Sequence, residues 1–187
     1  MGCKLTSNIT KDNCNYSVAG VKAVYLINYD AANEYTFKAA DDQTEITAIT
    51  LADSAKAYKF DFIDNTASWS DELAVNGNGG KYRTHTLNFT LSDYNYQVLN
   101  QEKALSLGKF TAVVVDKAGR SVIIGRSNGM SATAFNYASG AADADAMGWT
   151  VTMAGTEIAA GRLPTGQKAI ADSAAGAVMV APCISPG

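Results

Sequence analysis

Residues Tyr82 to Leu91 (YRTHTLNFTL) alternate in character, and this alternation constrains the fold more than any other feature of the chain. Tyr82, Thr84, Thr86, Asn88 and Thr90 fall on one side of an extended segment. Leu87, Phe89 and Leu91 fall on the other, with Arg83 and His85 at its outer end. Successive side chains of a strand point to opposite faces, so a period of two with one apolar face marks a half-buried strand. The period changes at Ser92-Asp93, two residue types that favour a helix N-cap. From there Leu91, Tyr94, Val98 and Leu105 recur at offsets of three, four and seven, while Asn95, Gln101, Glu102 and Lys103 stay polar. This spacing predicts an amphipathic helix over about 92–107, closed by Gly108 at the C′ position. Lys109 to Val115 then returns as a dense apolar strand. The expected unit is strand, helix, strand, with Leu87, Phe89, Leu91, Tyr94, Val98 and Leu105 as the core between helix and sheet.

Strand patterns recur on both sides of this unit. Val18 to Asn28, Glu34 to Ala39, Thr44 to Ala52 and Ala57 to Asp64 precede it, with Ala40 to Gln43 as a turn. Ser68 to Val75 reads as either strand or short helix, and Asn76-Gly77-Asn78-Gly79-Gly80 is a strong turn cluster. After the unit, Asp116 to Gly119 forms a hairpin turn into Ser121 to Ile124. Ser131 to Ser139 and Met147 to Ala154 follow as a pair joined by Gly140 to Ala146. About nine strands and one helix predict a mainly-β chain, an antiparallel sandwich or barrel with one flanking α-helix. The expected organisation is an N-terminal arm at 1–17, a β domain over 18–154 and a C-terminal arm at 155–187. That last arm is rich in Ala and Gly, and its one apolar run, Ala177 to Val180, is either part of the arm or a strand that pairs elsewhere.

Composition narrows the function. A net charge of -3 lacks the basic excess of a protein that grips phosphates. Charged residues are 18% of the chain, below the usual quarter, a hint that part of the surface is covered by other subunits. The first residues, MGCKLTSNITKDNCN, hold no apolar run of signal-peptide length, and no stretch elsewhere can span a bilayer, so the expectation is synthesis in the cytoplasm and no membrane partner. Cys3, Cys14 and Cys183 are odd in number and widely spaced, which argues against a disulfide framework or a metal site. They are read as buried or incidental thiols.

Candidate chemistry is sparse. His85, the single histidine, sits near the start of its strand with no nucleophile motif beside it, and a structural role is expected. Asp41, Asp42, Asp143 and Asp145 fall in loops without the remaining ligands of a calcium loop. The glycines of GRSVIIGRSNGMS lack the lysine and helix of a phosphate-binding loop and read as turns. Trp69, Trp149 and the tyrosines are core or interface anchors before they are a sugar platform. No catalytic residue, cofactor or metal is expected, and the chain does not read as an enzyme. Strands with one Thr/Asn face, few charges and two extended ends fit a protein that assembles with copies of itself.

The run SWSDELAVNGNGGKYRTHTLNFTLS, the helix, and KFTAVVVDKAGRSVIIGRSNGMSATAFNYASGAADADAMGWTVTMAGTE together resemble the tail tube subunits of tailed bacteriophages. The resemblance covers about residues 18–160 and lies in the order and texture of elements. It implies a β-sandwich with a flanking helix, whose copies form hexameric rings that stack into a hollow tube, in the virion tail. It also implies other tail proteins as partners, and double-stranded DNA that passes through without specific binding. On that reading Thr84, Thr86, Asn88 and Thr90 are candidate lumen-facing residues, and the arms bridge rings. The family brings no catalytic residues. Two further readings share the texture: another virion ring, such as a tail terminator or head–tail connector, and a soluble β-sandwich binding module.

Overall fold

The structure is a computed structural model that describes residues 5, 8–10, 18–38, 44–52, 57–92, 94–164, 169–170, 177–178 and 180–181. The segments of period two become strands. These are β1 (Val21–Asn28), β2 (Glu34–Phe37), β3 (Glu45–Thr50), β4 (Ala57–Phe60), β5 (Ser68–Val75) and β6 (Lys81–Leu91). The helix α1 (Tyr96–Leu107) follows, then β7 (Lys109–Asp116), β8 (Ser121–Ile124), β9 (Met130–Ala138) and β10 (Gly148–Glu157). Short pieces β11 (Leu163–Pro164), β12 (Ala169–Ile170), β13 (Ala177–Val178) and β14 (Val180–Ala181) complete the order.

Eight strands form one antiparallel sheet in the order β4-β1-β7-β9-β10-β6-β5, with β8 also on β7. Strand β7 has a divided edge: β8 pairs along Ala112 to Val115, and β9 takes only Lys109 and Phe110. The sheet folds over at this division and packs upon itself. Val24, Leu26, Ala112, Val114 and Ile124 of one half meet Leu87, Phe89, Val151 and Met153 of the other in one buried cluster. Phe60 of β4 lies against Phe89 with ring centroids 5.8 Å apart, and Ile63 donates to the Thr90 carbonyl at 2.8 Å. Burial of such a side chain stabilises by roughly 1.5–3 kcal/mol. The fold is an antiparallel β-sandwich with one flanking helix among the described residues.

A second cluster lies on the opposite face of the same strands. Ile27, Val113 and Ile123 pack against Ile46, Ile49 and Leu51 under the β2–β3 hairpin. Strand β7 is therefore covered on both faces, which is why its sequence is dense in apolar residues and its burial is continuous rather than alternating. The guanidinium of Arg126 rests over the rings of Tyr35 and Phe37, at 5.6 and 5.3 Å from their centroids, and pins the hairpin from outside.

The structure corrects several boundaries. The helix begins at Tyr96 rather than near 92, because the β6 ladder runs to Leu91 opposite Trp149. Its N-cap is Asn95, whose side chain accepts from the Val98 N–H at 3.0 Å. Tyr94 does not join the helix–sheet core: it is 58% exposed and stacks on Trp149 with ring centroids 5.3 Å apart. Leu87, Phe89, Leu91 and Leu105 are buried in the larger cluster, and Val98 packs against it. Residues 155–157 are strand, not arm, since β10 extends to Glu157. The segment after it returns to the body, where Arg162 bridges Ile123 and β11 runs parallel to β3. Ala177 and Val178 pair with Thr50 and Ile49 of β3. Ala57 to Asp64 shortens to β4, and Ser68 to Val75 resolves as strand. Cys3, Cys14, Cys183, Asp41 and Asp42 lie outside the described residues. No helix among the described residues is long and apolar enough to cross a membrane.

Candidate functional site

The four positions Thr84, Thr86, Asn88 and Thr90 lie on the outward face of β6 and are half-buried, between the buried His85, Leu87, Phe89 and Leu91. Register continues the same chemistry to either side. Thr156, Ala154, Thr152 and Thr150 of β10 oppose them in order. On β5, Glu72, Ser70 and Ser68 oppose Thr84, Thr86 and Asn88. On β9, Asn136 and Ala134 oppose Thr150 and Thr152. Among these paired positions Glu72 carries the sole charge. Neither buried cluster includes any of them. Threonine suits such a surface, because its β-branch favours the pleated backbone and its hydroxyl remains content in water.

Strand β5 borders this face. Among the described residues it pairs with β6 alone, which leaves its outer side without a partner strand along Ser68–Val75. Leu73 and Val75, at its far end, are 57% and 60% exposed. A long open edge with apolar side chains is a template for another strand.

The apolar side of β6 ends in a polar plug. Asp71 Oδ1 accepts from Arg83 Nε at 2.7 Å, and Asp71 Oδ2 accepts from the Gly161 N–H at 2.9 Å. Desolvation alone would raise the Asp71 carboxyl, but the Arg83 hydrogen bond, the Gly161 N–H and the neighbouring positive charge outweigh it and hold it below the ordinary value. His85 is 2% exposed and its Nδ1 accepts from the Gly125 N–H at 3.2 Å. The neutral ring therefore carries its proton on Nε2, which faces Asp71 Oδ1 at 3.5 Å, too far for a well-formed hydrogen bond. Burial pushes the imidazole down, and the Asp71 and Glu157 charges restore only part of the shift. A general base must present a free nitrogen to the proton that it takes. Here Nδ1 is filled by a backbone donor, and His85 acts as a strut between β6 and the Gly125 loop.

The glycine-rich loop at 125–129 does form an anion nest, and its anion is internal. The Ser127 and Asn128 N–H groups both donate to Glu157 Oε1 at 2.9 Å, and Glu157 is 3% exposed. Gly125 has φ +68, and a Cβ there would sit 2.7 Å from Met130 Cγ, so the turn requires glycine. Sequence reasoning missed Glu157 as the partner, because nothing local marks it; its place at the end of a longer β10 was the signal. At the other end of the sandwich, Trp149 is stacked between Phe135 and Tyr94, with centroids at 4.7 and 5.3 Å. Beside the helix, a cleft of about 420 Å³ is lined by Leu26, Tyr58, Phe60, Leu105 and Phe110 among others. In the 140–146 loop, Asp145 accepts from the N–H groups of Ala141 and Ala142, which hold its carboxyl below the ordinary range. No group of three or more His, Cys, Asp or Glu among the described residues is placed to hold a metal.

Comparison with known proteins finds no matching family model, no matching curated protein and no matching solved structure.

Proposed function

We propose that the chain is a structural virion protein, a tail tube subunit whose copies form stacked rings around a channel for DNA. The observation that carries this reading is the outward face of β9, β10, β6 and β5, built of Thr, Ser, Asn and Ala with Tyr82 at one end and Glu72 as the sole charge among its paired positions. A wall of this kind solvates a polyanion without holding it, since tight binding requires Lys or Arg to replace the condensed counterions. The open edge of β5 supports ring closure: pairing with a neighbouring copy satisfies its backbone and covers Leu73 and Val75. On this reading Thr84, Thr86, Asn88 and Thr90 face the lumen. The partners are further copies of the chain, in hexameric rings, and other tail proteins. DNA passes without specific contacts, and no catalysis is involved.

Negative-stain electron microscopy of the purified protein, concentrated and across several salt concentrations, tests the reading. Stacked rings or hollow tubes are expected. Separate rings that never stack would move the assignment to a terminator or connector. Compact single particles under every condition, together with unchanged stability after removal of both ends, would replace it with a monomeric binding module.

A further inference from the structure

We propose that Asn76 is a site of spontaneous deamidation set by the fold of the β5–β6 turn. The chain contains three Asn-Gly pairs, Asn76-Gly77, Asn78-Gly79 and Asn128-Gly129. All three share the small following residue that makes succinimide formation sterically easy, so sequence does not rank them. Geometry does.

The Asn76 side-chain oxygen accepts from the Asn78 N–H at 3.1 Å and from the Gly80 N–H at 2.8 Å. Two backbone donors at these distances polarise the carboxamide and stand where negative charge develops on attack at Cγ. The attacking group is the Gly77 nitrogen, which is exposed and donates to no group among the described residues. Asn78 differs at that point: the Gly79 N–H that would attack it is bound to the Asn76 carbonyl at 2.9 Å. Asn128 differs in two ways. Gly129 is buried, with a Cβ position 2.9 Å from the Tyr29 ring, and the Asn128 amide donates to the Thr156 carbonyl at 2.8 Å.

The step balances with water and hydroxide alone. The Gly77 nitrogen loses its proton to hydroxide and forms a bond to Asn76 Cγ. The resulting charge on Oδ1 is held by the Asn78 and Gly80 N–H groups. The Cγ–Nδ2 bond then breaks, and Nδ2 takes a proton from water and leaves as ammonia. Water opens the succinimide at either carbonyl to give aspartate or isoaspartate at position 76. Isoaspartate adds a methylene to the backbone and undoes the turn, in which Asn76 N donates to Gly80 O at 2.9 Å. The product is an altered tip on the hairpin that carries the open β5 edge, a mark that accumulates with the age of the protein.

The test is peptide mapping by mass spectrometry of the full chain, incubated at mildly alkaline pH either folded or unfolded in urea. In the folded chain, conversion at Asn76 is expected to outpace Asn78 and Asn128 on the order of tenfold. In urea the preference of Asn76 over Asn78 should vanish, because both precede glycine. Equal or faster conversion at Asn78 in the folded chain overturns the proposal, as does a preference that survives in urea. Gly80→Ala gives a second check. Its Cβ would stand 2.8 Å from Asn76 Nδ2 and displace the carboxamide from its donors. The folded variant, verified by its unfolding transition, should lose the preference, and an unchanged Asn76 rate refutes the role of the two N–H groups.

Discussion

Strands β6 and β7 are consecutive in the chain, with α1 between them, and are opposite solutions to burial. Every residue of β7 from Phe110 to Val115 is buried, because the sandwich covers one face and the β2–β3 hairpin covers the other. In β6, buried and half-buried residues alternate from His85 to Leu91, because only one face has a cover. Both covers of β7 come from its own chain, whereas among the described residues no element packs over the outer face of β6 or pairs with the edge of β5.

The same charge placed on each strand should have unequal consequences. Val113→Asp buries an unpaired carboxylate in the smaller cluster, where an uncompensated charge costs several kcal/mol. Loss of the cooperative unfolding transition is expected by circular dichroism. Thr86→Asp, on the outer face of β6, should change stability by no more than about 0.5 kcal/mol. Equal damage from the two would mean that the outer face of β6 is covered after all. Phe89→Ala sharpens the same point within β6. It leaves a cavity between Phe60, Phe62 and the sheet, and a loss of about 3–5 kcal/mol is expected by urea denaturation.

The two strands also differ in how legible they were. Alternation in Tyr82 to Leu91 and the density of apolar residues in Lys109 to Val115 each identify a strand, and the alternation separates the faces residue by residue. What covers each face is a long-range fact that no local pattern carries. Thus the hairpin over Val113 and the crossover whose Gly161 N–H binds Asp71 were not visible in advance. The helix start was misplaced because Ser92 and Asn95 are both good caps by type, and only the length of the β6–β10 ladder decides between them. Tyr94 fitted the helical spacing by coincidence. Its ring belongs to the aromatic stack on Trp149.

A smaller effect concerns the polar end of β6, which β7 lacks. Burial lowers the His85 pKa in the folded protein, so the unfolded chain binds more protons as pH falls. The contribution of neutral His85 is fully present above the ordinary histidine value of about 6.5 and is lost as pH drops below it toward the folded pKa. Asp71 acts in the same direction at lower pH, since its folded pKa is depressed and its contribution fades as the carboxylate protonates. Thermal unfolding followed from pH 8 to pH 4 should show stability falling with acid, and His85→Gln should flatten the upper part of that slope. A wild-type curve with no slope there would show that His85 protonates without cost. Smaller still, Asn95→Ala removes the helix cap and should cost about 1 kcal/mol.

The smallest effect on stability is expected at the position where the proposed function predicts the greatest consequence. Thr86→Lys places a cation on the outer face of β6, between Ser70 and Ala154. Its fold should match the wild type to within about 0.5 kcal/mol, as for other exposed strand positions. In the proposed ring the substitution would repeat around the wall, and each copy would offer a phosphate contact that the native threonine does not. Assembled variant tubes should therefore retain double-stranded DNA at low salt and release it as salt rises, while wild-type tubes retain none at either. Two results would separate the fold from the function. Variant tubes that assemble but bind no DNA would remove β6 from the lumen and leave the ring intact. A variant that folds but no longer assembles would place Thr86 at a contact between copies rather than on a wall.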